Sequence, residues 1–327
     1  MIKHDILMAT TAILSCAFLA ESARAECPED YTIVDGRCIK TDTACDGSCT
    51  WVYDYDARSL TYQGTGTIKY SVRTYGIGPI KDLTIGEGIT GISQNTPSTD
   101  TFPNIGAADG KLILPSTLRS VGGYTMTGLR FGTVEINSDN VSFAHDALHF
   151  ANGVEANIII KPGSNVRAGV NTFYGYGYGA GATLHFMCKS SNAADCGSGM
   201  TNAINSFTNA GGSASVGLYE GNDGNGNWEV WSESGKTVYS DSTKQKMLSQ
   251  YDSSGNLQTS YVYGTDGSYA EYDANGTMRY VKGADGSAYR FDANGNPTGA
   301  TKRGPFTIPE ANALTKDGPV NTLTITW

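Results

Sequence analysis

The chain has 327 residues, with 41 glycines, 19 tyrosines, only 17% charged residues and a net charge of −9. That balance excludes recognition of a phosphate backbone, which needs a clustered basic surface, so no nucleic-acid partner is expected. A composition this rich in glycine and aromatics predicts a mainly β protein of short strands closed by Gly, Asn, Asp and Pro turns.

Residues 1–25 read as a secretory signal peptide: Lys3 and His4 precede an apolar run from Ile6 to Ala20, and Ala23-Arg24-Ala25 follows with small residues at the cleavage positions. An alternative cut before Cys16 has only Ile13-Leu14-Ser15 as a poor lipobox, and the apolar run continues past it. Cleavage after Ala25 removes Lys3 and Arg24 together with Asp5 and Glu21, so the mature chain keeps its charge of −9. No later segment offers the ~20 apolar residues of a membrane span, and a soluble chain, secreted or displayed at the cell surface, is expected. Six cysteines remain, Cys27, Cys38, Cys45, Cys49, Cys188 and Cys196, and an even count behind a signal peptide predicts three disulfides. Cys188 with Cys196 is the firmest pair because the other four lie more than a hundred residues away. Cys27 with Cys38 and Cys45 with Cys49 is the pairing favoured among three. The spacings do not suit zinc, and no cofactor is implied.

A Cys-rich segment over 26–75 ends in a Trp-containing hairpin, and a comb of similar teeth follows over 76–190. "DLTIGEGITGI" (82–92) lies over "KLILPSTLRSV" (111–121), so that Leu83 falls on Leu112, Ile85 on Leu114, Ile89 on Leu118 and Ile92 on Val121. Looser copies start at Val134, Ile158 and Leu184, giving spacings of 29, 22, 24 and 26 residues. Alternate side chains of an extended segment share a face, so Leu112 and Leu114 are core and Ile113 looks outward. One coil cannot bury its own apolar edge, and stacked coils predict a solenoid with a sheet along one side. Leu83, Leu112, Val134, Ile158 and Leu184 are expected to align as one interior ladder. The outward positions, Ile113, Glu135, Ile159 and His185 among them, are candidate ligand contacts.

These teeth resemble the BspA-type leucine-rich repeat of bacterial surface proteins, in "LTIGEGITGI" and in "LILPSTLRSVGGYTMTGL" with its strand, Pro-Ser and spaced apolar pair. "CTWVYDYDARSLTYQGTG" (49–66) resembles the hairpin that caps such repeats. The resemblance covers roughly residues 45–190 and implies an irregular leucine-rich-repeat solenoid that binds other molecules.

Residues 191–245, rich in Gly, Ser and Asn, read as a connector with one Trp hairpin between Trp228 and Tyr239. Over 246–300 three units headed by Tyr251-Asp252, Tyr272-Asp273 and Phe291-Asp292 predict consecutive hairpins through Asn-Gly and Asp-Gly turns with both central residues at positive φ. They resemble YD repeats, which implies a curved hairpin sheet and an association with carbohydrate. In 301–327, Thr307 and Glu310 have capping-box spacing around Pro309, which predicts a short helix before a terminal strand, Leu323 to Trp327.

Three further clusters carry chemistry in principle. His145 and His149 have the spacing of two metal ligands on a helix, but Asp146 is a poor stand-in for the usual glutamate and no third ligand is evident. Asp223, Asn225, Asn227 and Glu229 alternate like a calcium loop, although Trp228 sits where that loop needs glycine. Tyr174, Tyr176 and Tyr178 alternate with glycines and would share one face if extended, as a sugar-stacking or contact patch. No nucleophile elbow, phosphate loop or complete metal motif is present. The expected function is therefore non-catalytic binding or adhesion to an extracellular protein or glycan. The alternatives are a metal-assisted hydrolase built on His145 and His149, or a structural piece of a surface assembly. The sequence sets no oligomeric state.

Overall fold

A computed structural model describes residues 27–45, 48–69, 76–93, 101–173, 181–209, 212–223 and 225–300, together with the strand course of 306–315 and 318–325. The expected signal peptide and the patch of Tyr174, Tyr176 and Tyr178 lie outside the described residues. Among the described residues no helix is long and apolar enough to cross a membrane.

The chain is mainly β, and strands between Ser59 and Leu218 form a β-solenoid of about five turns. The repeating coil has more than the one sheet expected from the comb. One face stacks the parallel strands Ser59–Gly64, Asp82–Ile85, Lys111–Leu114, Thr133–Ile136, Glu155–Ile160, Thr183–Cys188 and Ser213–Leu218. A second stacks Gly66–Ile68, Ile89–Ile92, Ser120–Val121, Asn140–Phe143 and Asn165–Ala168, and a third stacks Phe102–Pro103, Met126–Leu129 and Leu148–Phe150. The apolar pairs after each strand, such as Ile89 with Ile92, are thus themselves strand residues lining a second wall of one interior, and Leu118 is buried just ahead of Ser120–Val121.

The interior ladder exists with one change of register. Leu83, Leu112, Val134 and Ile158 pair in succession, but Ile158 then meets Phe186, while Leu184 pairs with Ala156. A two-residue slip keeps the same face inward, so Leu184 is still fully buried. Serines stitch the corners: Ser138 Oγ donates to the Pro115 carbonyl at 2.8 Å, and Ser164 Oγ to the Ser138 carbonyl at 2.7 Å. Gly110 and Gly132 stand at equivalent corners where a Cβ would overlap the carbonyl oxygens of Lys81 and Ala108 in the coil below. Only glycine permits rungs to stack that closely there.

Both ends of the solenoid are closed. The antiparallel strands Thr32–Val34, Arg37–Ala44 and Cys49–Asp54 cover the first coil and bury Trp51 and Tyr53. At the other end, the segment expected as a connector holds a 3-10 turn, Ala193–Cys196, and a helix, Gly197–Asn209. Met200, Ala203 and Phe207 recur on the buried side of that helix, so its hydrophobic spacing is present within polar surroundings. Phe207 closes an aromatic column, with ring centroids 5.9 Å apart for Phe143 and Phe173, 5.6 Å for Phe173 and Phe186 and 6.3 Å for Phe186 and Phe207. The three disulfides pair as expected, Cys27 with Cys38, Cys45 with Cys49 and Cys188 with Cys196, the last tying the strand end to the helix start.

A nine-stranded antiparallel sheet follows, running in chain order from Glu220–Asn222 to Pro297–Ala300. It begins inside the expected connector, where Trp228 pairs with Tyr239. Its recurring turns differ from the expected two-residue type. In each, one glycine alone takes positive φ, at 83° for Gly255, 76° for Gly276 and 80° for Gly295. The preceding aspartate bridges the loop: Asp252 Oδ1 accepts the amides of Ser254 and Asn256, both at 2.9 Å. Asp273 and Asp292 repeat this, which explains why a tyrosine or phenylalanine followed by aspartate heads every unit. Beyond Ala300 the expected helix is absent. Phe306–Thr315 and Gly318–Ile325 pair as antiparallel strands, with an irregular register between Pro309 and Ala313. Both strands of a two-stranded ribbon are edges, where a proline without an N–H is tolerated, so the capping-box reading of Thr307 and Glu310 gives way.

The solenoid and the sheet meet at Tyr219. The Tyr219 amide donates to the Cys188 carbonyl and its own carbonyl accepts the Trp231 amide, both at 2.9 Å. Lys189 lies over the Tyr219 ring at 4.8 Å and pairs with Glu229 at 3.3 Å, and Lys236 reaches the same carboxylate at 2.9 Å. Burial alone would raise the Glu229 pKa, but the hydrogen bond from Lys236 and the two ammonium charges outweigh it and hold the carboxyl below its usual range. A depressed carboxylate stabilises the fold above its unfolded pKa, near ~4.3, and that contribution is lost as pH falls through the folded value. The melting temperature should therefore fall on acidification below about pH 4. Glu229→Gln should be less stable than wild type at neutral pH and should converge with it in acid. Two thermal-melt curves that stay parallel from pH 7 to pH 3 would refute this coupling.

Candidate functional site

On the outward face of the solenoid's long sheet, two of the expected contact residues, His185 and Ile159, are engaged or covered within the protein. His185 bridges three coils, with Nδ1 2.6 Å from Ser215 Oγ and Nε2 2.9 Å from Glu155 Oε1. Ile159, expected to be exposed, is only 5% exposed and lies outside the interior core cluster, so it is covered from without. Tyr219 lies close enough to this face for the Glu135 charge to push its phenol pKa up further after burial itself. Ile113 remains half-buried.

The histidine pair has no helical geometry. Asn140–Phe143 and Leu148–Phe150 are strands on two different walls, and the turn between them carries Asp146 at φ 55°. His145 is exposed and edge-on to Tyr124, with centroids 5.4 Å apart. His149 is buried at 3% exposure, its Nε2 3.2 Å from Asp146 Oδ1. Among the described residues no three His, Cys, Asp or Glu side chains converge as a metal site. In the loop resembling a calcium site, Asp223 Oδ1 accepts the amides of Asn225 and Asn227 at 2.7 and 3.1 Å, and Glu229 faces the two lysines. Its oxygens are committed to closing a turn.

The site with open space lies on the C-terminal sheet. Cross-strand register places Tyr261, Glu271, Tyr280 and Arg290 side by side on four successive strands, and Tyr263 opposite Tyr269 two residues along. Strand alternation sends Val262, Ala270, Val281 and Tyr289 into a small core behind. The rings form a continuous row: centroids are 6.4 Å apart for Tyr261 and Tyr269, 5.6 Å for Tyr263 and Tyr269 and 5.7 Å for Tyr269 and Tyr280. The Arg290 guanidinium lies 5.6 Å over the Tyr280 ring. Beside this row is an open cleft of about 600 Å³, lined by Tyr269, Glu271, Arg279, Tyr280 and Arg290.

Comparison with protein-family models, curated proteins and solved structures finds no match. The cleft must therefore be read from its own chemistry. Burial, reinforced by neighbouring phenols and the Glu271 charge, holds the Tyr269 pKa above its usual 10.0, and burial with Glu271 does the same for Tyr261. Both hydroxyls stay protonated at neutral pH, Tyr261 hydrogen-bonding Glu271 and Tyr269 hydrogen-bonding Tyr280, beside two guanidiniums. None of these residues stood out in the sequence as a site. The visible signal was the alternation in "YVY", "YAEY" and "MRYVK", which places several tyrosines on one face of consecutive strands.

Proposed function

We propose that this protein is a non-catalytic binding protein of an extracellular or other oxidising compartment, and that its C-terminal sheet holds a saccharide. Three disulfides support the compartment. One observation carries the ligand class: the tyrosine row beside an open cleft that also presents Glu271, Arg279 and Arg290. Aromatic faces take the apolar C–H face of a sugar ring, and a few convergent polar groups fix its hydroxyls. A cleft of this volume accommodates a short oligosaccharide. In this reading the solenoid is a divergent BspA-type scaffold, on the strength of its strand, Pro-Ser and apolar-pair pattern. The hairpins are YD-like units that carry the ligand, and the protein serves in adhesion at or near a cell surface.

The test is a glycan array probed with the mature chain, followed by calorimetric titration of any ligand found. Tyr280→Ala should weaken that ligand at least about tenfold while leaving the fold intact, because truncating a central aromatic anchor removes about 2 kcal/mol or more. An array without ligands, or unchanged affinity in the variant, would overturn the proposal.

A further inference from the structure

Resting on the saccharide reading, we infer that the cleft selects a short oligosaccharide carrying one acidic group, bound through Arg279 and Arg290. Arg279 Nη1 is buried and has no hydrogen-bond partner among the described residues. Its Nε stands 3.9 Å from Asp273 Oδ2, an ion-pair distance too long for a hydrogen bond. One oxygen of each nearby aspartate closes a turn: Asp273 Oδ1 accepts the amides of Asn275 and Thr277 at 2.9 and 3.0 Å, and Asp292 Oδ1 those of Asn294 and Asn296 at 2.8 and 2.9 Å. A guanidinium N–H without an acceptor is costly, and the Arg279 side chain, about a third exposed, lines the cleft, so the open side of this poorly matched cation is where a ligand oxygen fits. Arg290 lies on the same cleft, positioned by the Tyr280 ring beneath it.

The planar fork of a guanidinium matches a carboxylate or sulfate in two parallel hydrogen bonds, which ties an acid group to the site rather than another hydroxyl. Glu271, between Tyr261 and Tyr280 in register, would repel a second acid group and accept a sugar hydroxyl instead. The net charge of −9 opposes a long polyanion at a distance. One acid group on a short, otherwise neutral sugar fits all three constraints.

The probes are matched ligands titrated calorimetrically into the full mature chain: sialyllactose, singly sulfated lactose and lactose. At least one acidic member should bind about tenfold or more tighter than its neutral counterpart, and the sialyl and sulfated arms distinguish a carboxylate from a sulfate. Arg279→Gln should abolish that preference, with the residual affinity equal to that of the neutral sugar. Arg290→Gln, at an exposed position, should reduce the preference at least about threefold and keeps the test valid if Arg279→Gln does not fold. Equal binding of acidic and neutral members, or a preference surviving both substitutions, overturns the inference and leaves the saccharide reading standing. No binding of any of these sugars overturns both.

Discussion

Phe186→Ala is expected to lower the unfolding free energy by about 3–5 kcal/mol, the range of a large aromatic truncated in a core that cannot collapse. Phe186 is fully buried, and its ring stands between those of Phe173 and Phe207. Its strand is pinned on both sides by parallel pairing, Phe186 to Ile158 and to Val216, so the backbone cannot move inward to fill the space. The loss also removes the surface on which the closing helix rests. Urea unfolding followed by far-ultraviolet circular dichroism should show a lowered midpoint for the solenoid transition. A change below about 1 kcal/mol would mean that Phe207 and the helix pack independently of the last coils.

The paired substitution Cys188→Ser with Cys196→Ser is expected to cost about 2–4 kcal/mol. That disulfide joins the end of Thr183–Cys188 to the turn before the helix, where the Asp195 carbonyl also accepts the Gly163 amide at 2.7 Å. Both half-cystines are buried, so serines there add unmatched hydroxyls to the lost crosslink. Reductant should destabilise wild type more than this variant, whose remaining sensitivity comes from Cys27–Cys38 and Cys45–Cys49. Equal responses to reductant would show that the helix is retained by Met200, Ala203 and Phe207 without the crosslink.

The interior ladder was legible because alternation in a strand carries a period of two, and a repeat shows the same alternation several times over. Leu83, Leu112, Val134 and Ile158 could be aligned by eye for that reason. The slip at Leu184 was not legible, since a shift of two residues leaves the pattern of inward side chains unchanged. The extra walls were hidden because short runs such as Ile89–Ile92 look the same whether they return as loop or pair with the next coil. The helix at Gly197–Asn209 has weak intrinsic propensity, with two glycines, two asparagines besides its last residue and two threonines, and is fixed by what its buried side touches. The tyrosine cleft needed cross-strand register, with a shift between Glu271 and Tyr272 and none from Tyr261 to Glu271 or from Tyr280 to Arg290, and the composition of a single strand does not encode that. Outward solenoid positions were identified by face, but not by whether they stay exposed: Ile159 is buried although it lies outside the interior core.

Because every coil adds one rung to the long sheet, the solenoid sets a distance as well as supplying a scaffold. The Cys-rich cap sits on the first rung and Tyr219 follows the last, so the rung count fixes how far the tyrosine cleft stands from the amino-terminal end. Each added or deleted coil would move that cleft by about 4.8 Å, the spacing between neighbouring strands. Duplicating residues 111–132 between the Gly110 and Gly132 corners would lengthen this gauge by one step without altering either closure.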